Sequence, residues 1–434
     1  MQFKFKIWQS ILKVCPFWFF DGTGGILKSV KKQSKVLLYS LVMHDREKKL
    51  ICPVAEFFTT GHDTQTIKSY LDLIKNAIEK TISKNSFQIA PIIVTDFSWA
   101  IINAACYSFN QCSIDGYIAW CYDILINKKI WLFNSIQTIL VLCYSHFIKL
   151  VSKKIKKIKK YNDKGNNNKL REIALYTCST LQKSSSIDEF NENIKHAFNI
   201  FNVKENCKEK KASFFAIKNK IGKSIMSNDI SKIEQTESNK KSILYVSNSQ
   251  HINLRKNSQF TEYYEKLLKR HRLNLNTKKF KCKAELNPYY CPKIFQILIH
   301  YIHLMPLWSG VMLSFWCKIN PQINELMNRI TNNPVENWFG QIKNALDLFL
   351  PAMPSEYSNV VYTLIDAIYE LHPEFKLIHL NNYKNKNNDA KEAWSKSKIV
   401  PRKKGYFNTI SDTKDPFDDL FKGFLLFLSK VSNS

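Results

Sequence analysis

The chain has 434 residues, of which 45% are hydrophobic, and its Lys+Arg 64 against Asp+Glu 36 give a formal net charge of +28 at pH 7. This length and charge exclude a small disulfide-stapled scaffold, so we expect the eleven irregularly spaced cysteines to be reduced thiols in an intracellular compartment. A folded protein this basic usually binds a polyanion, most often nucleic acid, although an AT-rich coding sequence would enrich Lys and Asn without selection for binding.

The first 160 residues predict the first part of an α/β domain with a mixed sheet. Short apolar runs bounded by turn residues predict strands, and apolar residues at helical spacing after Asp63 predict a helix with Asp63 as its N-cap. In chain order, the predicted elements are a strand at 15–20, an antiparallel hairpin at 35–45 and 50–60, a helix from Asp63 through Ile82, a strand at 90–97, helices at 98–108 and 114–126, and a strand at 136–144.

The composition changes after Val151, where the lysine-rich segment VSKKIKKIKK begins. Val151, Ile155 and Ile158 recur at helical spacing, which predicts a helix with one apolar face. Polar, Lys- and Asn-rich sequence at about 203–258 predicts a mobile stretch. The expected organisation is a first part of the sheet domain at 1–160, a basic and mostly helical insertion at 161–325, closing helices of the sheet domain at 326–380, and a basic tail at 381–434.

The segment 294–317 carries no residue that is formally charged at pH 7 and is long enough to span a bilayer. However, Gln296, His300 and Pro306 interrupt it, and MPLWSG reads as a turn. We therefore expect a buried helix–turn–helix and no membrane partner; a membrane protein built on this segment is the alternative. The N-terminal MQFKFKIWQSILKV lacks the continuous apolar region of a signal peptide.

Two carboxylates, Asp21 and Asp96, each follow an apolar run that predicts a buried strand. If the strands are neighbours, the two like charges repel, and a hard divalent cation with oxygen ligands relieves the repulsion. Paired carboxylates of this kind hold the metal ions of phosphoryl-transfer sites. The alternative for an Asp at the end of a strand is a turn or a helix cap.

A third carboxylate is expected at Glu336, in the segment NNPVENWFGQIKN. Asn333 as N-cap, Pro334 at the first helical position and Glu336 at the third also form a capping-box pattern, so a purely structural role for Glu336 stays open. Glu56, on a predicted strand, and Glu325 are its rivals.

Four segments in this order, FFDGTGG, IIVTDFSWAIINA, LCYSHFIK and NNPVENWFGQIK, resemble the DDE transposases of the Mutator-like element (MULE) group and the allied hAT side of that clade. The resemblance covers about 12–160 and 290–350. It implies a ribonuclease-H-like sheet interrupted by a helical insertion. It also implies metal-dependent cleavage and transfer of DNA strands in the nucleus, with Mg²⁺ or Mn²⁺ bound by the acids and no organic cofactor. The residues it identifies are the acids Asp21, Asp96 and Glu336 and the pair Cys143 and His146.

Under this resemblance, DNA is the expected partner, and homo-oligomerisation is left open. The lysines that follow the Cys–His pair would contact phosphates in a sequence-independent, salt-sensitive way, with a plain solvated helix face as the alternative. These lysines are Lys153, Lys154, Lys156, Lys157, Lys159 and Lys160.

The spacing of Cys143 and His146 also matches half of a zinc site, which would need two further ligands. The candidates are His300 with His303, or Cys282 with Cys291, and none has a supporting context. We therefore expect no zinc, with Cys143 packed as a small buried residue and His146 near the acidic pocket.

Only twenty residues precede Asp21, which leaves no room for the N-terminal DNA-binding module that such transposases usually carry. We therefore expect a chain truncated at its N-terminus: a fragment, a decayed copy or a domesticated derivative. A catalytically inactive, transposon-derived DNA-binding or interaction protein is the alternative function.

Overall fold

The computed structural model describes residue 11 and the ranges 15–24, 36–45, 50–81, 91–136, 138–158, 164–205, 208–220, 258–277, 286–319 and 331–349. Several residues and ranges named above lie outside the described residues. They are Cys282, Glu325, Lys159, Lys160, the tail 381–434, residues 206–207 and 221–257 of the predicted mobile stretch, and all of 326–380 except 331–349.

A five-stranded mixed sheet is the centre of the first part of the chain, with the strand order β3-β2-β1-β4-β5. β2 is antiparallel to both β1 and β3, while β4 is parallel to both β1 and β5. This arrangement confirms the predicted α/β class, the mixed strand direction and the hairpin. The strands are β1 Phe17–Thr23, β2 Leu37–Asp45, β3 Leu50–Thr59, β4 Ile92–Thr95 and β5 Ile139–Leu142.

The three parallel strands are short apolar runs that are buried on both faces, which is typical of the interior of an α/β sheet. Helices cover them on both faces. The N-cap prediction is confirmed, because Asp63 Oδ1 accepts the backbone N–H of Thr66 at 2.9 Å. The helices of this part are α1 Thr64–Thr81, α2 Trp99–Asn110, α3 Ile114–Leu125 and α4 Tyr144–Lys156, with a 3-10 helix at Ile130–Ser135.

The remainder of the described chain is helical. One helix, α7, corrects part of the predicted mobile stretch, because its Ile217 is buried and its Ser213 accepts a hydrogen bond from Asn199 at 3.0 Å. The helices are α5 Lys164–Gln182, α6 Ile187–Asn202, α7 Lys208–Lys220, α8 Gln259–Thr277, α9 Pro292–His300, α10 Met305–Trp308, α11 Val311–Ile319 and α12 Asn333–Phe349, with a 3-10 turn at Ile302–Leu304.

The apolar segment is packed inside the protein. Among the described residues, Pro292–Lys318 is the one run long and apolar enough to cross a membrane, and 78% of its most apolar window is buried. Trp308 stacks on Phe147 of α4 with ring centroids 4.8 Å apart. The predicted buried helix–turn–helix is thus confirmed, but its bend is at Ser309 and Gly310, because MPLW itself forms the short helix α10.

Candidate active site

Asp21 and Asp96 lie side by side on two neighbouring parallel strands: Asp21 is within β1, and Asp96 directly follows β4. The predicted end of the first strand at residue 20 is wrong, because β1 continues to pair with β2 through Thr23. β1 and β4 pair up to Phe20 and Thr95, so Asp21 and Asp96 come next in the same register. The backbone N–H of Cys143 donates to the carbonyl of Thr95 at 2.8 Å, which continues the row onto β5. Neighbouring strands are about 4.8 Å apart, and residues in register point to the same face of the sheet. The two carboxylates are therefore neighbours on one face, near the end of β4.

The carboxylate of Asp21 is in an electrostatically unfavourable position. Burial raises its pKa well above the ordinary value, and the charges of Asp96 and Glu336 raise it further. The backbone N–H of Gly22, which donates to Asp21 Oδ1 at 2.7 Å, and the charge of His146 lower it only in part. An acid in this environment favours a bound cation or a proton.

The ring of His146, in the first turn of α4, lies between Asp96 and Glu336. Its Nδ1 is 2.5 Å from Asp96 Oδ1 and its Nε2 is 3.4 Å from Glu336 Oε1. The Nδ1 contact is an ion pair without good hydrogen-bond direction. Burial would lower the pKa of His146, but its contacts with Asp96 and Cys143 outweigh burial and raise the pKa to about 11. The imidazolium therefore neutralises carboxylate charge at the place where a cation is expected.

Glu336 is at the mouth of this cluster, with 41% of its side chain exposed. The predicted capping box is wrong by one residue. Helix α12 begins at Asn333, and the carbonyl of Asn332 accepts the backbone N–H of Glu336 at 3.1 Å. Glu336 is therefore the fourth helical residue rather than the third, and its carboxylate faces His146.

Sequence reasoning missed Asn332, which joins α12 to the two strand ends. This residue is fully buried. Its backbone N–H donates to Cys143 Sγ at 3.2 Å, and its Nδ2 donates to Asp96 Oδ1 at 3.3 Å. The signal was present in the segment NNPVE, but a short polar residue before a helix is read as an ordinary cap.

Glu56, the rival third acid, is an anchor for α12. It is in the same row of the sheet, because Asp21 pairs with Ser40 and Ser40 pairs with Glu56. Its Oε1 accepts Ser40 Oγ–H at 2.9 Å and Trp338 Nε1–H at 2.6 Å. Burial raises the pKa of Glu56, and these two hydrogen bonds oppose that rise. Its oxygen is thus already engaged by the helix.

The tightest group of metal-competent side chains in the described part of the chain is Asp96, Cys143 and His146, whose ligand atoms lie within 4.8 Å of one another. Neither the histidines of 300–303 nor Cys291 belongs to it, so the extra zinc ligands considered from the sequence are not brought to Cys143 where the structure describes them. Asp21 and Glu336 flank this group without being part of it.

The oxygen donors of the site suit Mg²⁺ or Mn²⁺, which prefer carboxylate and amide ligands. Two observations support this fit. Within the described part of the chain, His146 is the one cationic side chain that lowers the pKa of the partly buried Asp21 carboxylate. The buried Oδ1 of Asn332 has no hydrogen-bond partner among the residues that the structure describes, and its amide is in contact with Asp96.

The predicted DNA-binding lysines of α4 begin about two helical turns after His146. Lys153, Lys156 and Lys157 are exposed, while Lys154 is half-buried, with its Nζ 4.5 Å from the centroid of the Tyr301 ring. Within the described residues, the predicted basic face is therefore present as a surface.

No family model matches the sequence. Over 159 residues the chain is 30% identical to a 120.7 kDa protein of the NOF-FB transposable element of Drosophila melanogaster, a match that covers 34% of this chain and 13% of that protein. The chain thus spans far less than the length of this relative. A solved structure of the Drosophila P element transposase strand transfer complex aligns with 82% of this chain and 77% of its own, at 12% identity and a TM-score of 0.30.

Proposed function

We propose that the chain is a transposase-like protein of the MULE/hAT-related clade whose ribonuclease-H-like domain cleaves and joins DNA strands with Mg²⁺ or Mn²⁺. The observation that carries the proposal is the placement of Asp21 and Asp96 in one row on adjacent parallel strands, with Glu336 delivered to the same edge by α12. The partial sequence similarity to a transposable-element protein supports it.

In this proposal each side chain has a defined task. Asp21 and Asp96 hold the metal from the sheet, and Glu336 closes the site from the helix. Bound there, the metal would supply polarisation of the scissile phosphate and a more acidic attacking water. His146 neutralises Asp96 and Glu336 and holds a proton at Nδ1 or Nε2 until the site is occupied. Asn332 fixes the separation between the strand acids and the helix.

DNA is the proposed partner, the nucleus the proposed location and a homo-oligomer a compatible assembly. The reaction requires no organic cofactor. The basic surface of α4 is the proposed contact for the DNA backbone, because phosphate neutralisation by lysine supplies sequence-independent affinity.

A catalytically inactive DNA-binding or interaction protein is the second candidate function. The observation that favours it is the 4.8 Å group of Asp96, Cys143 and His146, in which the partners of Asp96 are a cysteine and a histidine and not a second acid. Under this alternative, the protein binds DNA but has no affinity for divalent metal.

The direct test is nicking of a supercoiled plasmid by the full chain with Mn²⁺ or Mg²⁺. We expect nicking to disappear in EDTA and in Asp96→Asn, Asp21→Asn and Glu336→Gln. The matched control is Asp123→Asn, because Asp123 is on α3, bonded to Asn127, and should keep wild-type activity. Equal nicking by wild type and Asp96→Asn would contradict the assignment. Calorimetric titration with Mn²⁺ separates the inactive alternative, which predicts DNA binding without metal binding.

A further inference from the structure

A groove of about 310 Å³ lies between the end of α4 and helix α9. Its lining combines an apolar base with cationic and amide groups. The residues that line it are Lys154, Ile158, Lys293, Gln296, Ile297 and His300. Among the described residues, no carboxylate lines the groove, and neither α4 nor α9 contains an Asp or Glu.

The polar groups of α9 form one stripe. Lys293, Gln296 and His300 are all exposed, and their spacing of three and four residues puts them on one face of the helix over two turns. From α4, Lys154 completes the opposite wall. The groove therefore presents donors from two different helices to the same space, which a single solvated lysine face does not do.

Lys154 is held in place rather than extended into solvent. Its Nζ is 4.5 Å from the centroid of the Tyr301 ring, a cation–π distance. Burial and the neighbouring charge of Lys157 lower its pKa. A half-buried ammonium without a carboxylate in the groove is stabilised by an anion from outside the chain.

The groove is also close to the candidate active site. The Tyr301 ring contacts Phe97, the residue after Asp96, with centroids 5.8 Å apart. Lys154 is eight residues beyond His146 on the same helix, which corresponds to about 12 Å along its axis. That length equals three to four nucleotides of a DNA strand at about 3.4 Å per nucleotide.

We propose that this groove binds the phosphodiester backbone of DNA beside the candidate active site, through Lys154 of α4 and Lys293, Gln296 and His300 of α9. The inference rests on the proposed function for its choice of ligand, and it adds α9 of the insertion to the DNA-binding surface. Recognition is through phosphate charge and amide donors, so it is independent of base sequence.

The test is fluorescence anisotropy of a labelled DNA duplex with the full chain in EDTA, so that metal binding does not contribute. The groove variant is Lys154→Ala with Lys293→Ala. The control, Lys266→Ala with Lys269→Ala, removes the same charge from exposed positions on α8. We expect the groove variant to bind at least about tenfold more weakly, with a salt dependence reduced by about two ions, and the control to change much less.

Equal losses in the groove variant and the control would overturn the inference, since bulk charge would then explain binding. The inference would also be overturned if the groove variant kept its DNA affinity but lost affinity for phosphatidylserine vesicles. That result would identify the groove as a membrane-binding surface. The two proposals fail separately. If the groove variant loses DNA affinity but the wild-type protein never nicks DNA, the proposed function alone is contradicted. If the wild-type protein nicks DNA but the groove variant keeps its DNA affinity, the groove proposal alone is contradicted.

Discussion

Asn332 Nδ2 donates a hydrogen bond to Asp96 Oδ1 at 3.3 Å, joining two residues that are 236 positions apart. The backbone N–H of Asn332 also donates to Cys143 Sγ. The residue before α12 is therefore fixed to the ends of both β4 and β5. Because Glu336 is one helical turn further, its distance from the strand acids depends on this junction.

We expect Asn332→Ala to reduce metal-dependent nicking on the order of tenfold to a hundredfold and to raise the Mn²⁺ concentration required for half-maximal rate. A hydrogen bond to a charged group contributes about 1.5–3 kcal/mol, and here its loss frees Asp96 from α12. Nicking rates over a Mn²⁺ titration measure both effects. Asn333→Ala is the control, because Asn333 is exposed; an identical change in both variants would contradict the positioning role.

We expect Asp21→Asn to raise the melting temperature of the metal-free protein at neutral pH while abolishing nicking. The folded pKa of Asp21 is raised by burial and by Asp96. Keeping this carboxyl in the folded state therefore costs free energy at any pH above its unfolded pKa of 3.8, neutral pH included, and the amide removes this cost. Calorimetry in EDTA measures the shift. We expect Asp63→Ala to lower the melting temperature instead, because the capping hydrogen bonds from Thr66 lower the pKa of Asp63 and so stabilise its ionised form in the folded protein. Destabilisation by Asp21→Asn would show that its charge is compensated.

The contribution of His146 to stability is expected to decrease with rising pH. Its pKa is about 6.5 in an unfolded chain and about 11 in the folded protein. Protonation thus favours folding: the contribution is complete below pH 6.5 and is lost progressively as the pH approaches 11. We expect the difference in melting temperature between wild type and His146→Gln, measured in EDTA, to shrink from pH 6 to pH 10. A difference that stays constant over this range would exclude the imidazolium.

Trp338→Phe tests the second attachment of α12. The substitution removes the Nε1–H that donates to Glu56, while the hydrogen bond from Ser40 to the partly buried carboxylate remains. We expect a loss of about 1.5–3 kcal/mol in the free energy of unfolding, the contribution of a hydrogen bond to a carboxylate. Denaturant unfolding of Trp338→Phe, Glu56→Gln and the double variant forms a cycle. Strictly additive losses would mean that the two side chains are not coupled.

Substitution by alanine is expected to change the folding stability in opposite directions at two glycines, Gly310 and Gly340. The N–H of Gly310 donates to the carbonyl of Gln182 at 2.7 Å, and a Cβ there would lie 3.1 Å from the carbonyl oxygen of Ser184. We expect Gly310→Ala to cost about 1–3 kcal/mol, because backbone atoms cannot move aside easily. A Cβ at Gly340, in α12, meets no atom of the described residues within 4 Å, so we expect Gly340→Ala to stabilise by about 0.5–1 kcal/mol. Thermal unfolding of both decides; two losses of similar size would contradict the packing at Gly310.

The sequence by itself determined the elements and their chemistry where local patterns are sufficient. Apolar runs predicted β1, which carries Asp21, and β4, which Asp96 follows, and helical spacing predicted the helix after Asp63. The polyanionic partner that the charge indicates stays a prediction. These features depend on side-chain periodicity and on capping bonds between residues three or four apart. The same patterns mark Glu336 on a helix, although its position relative to the cap was wrong by one residue.

Only the tertiary structure decided which polar groups meet. Asn332 and Asp96, Glu56 and Trp338, and Lys154 and Tyr301 are pairs from distant segments, and nothing in their local sequence distinguishes a partner from a cap, a ligand or a solvated side chain. Their contacts follow from the strand register and from how α12 and α9 pack on the sheet domain. Packing of whole apolar faces sets those positions, and each polar pair forms where that packing brings a donor within about 3 Å of an acceptor or an ammonium over an aromatic ring.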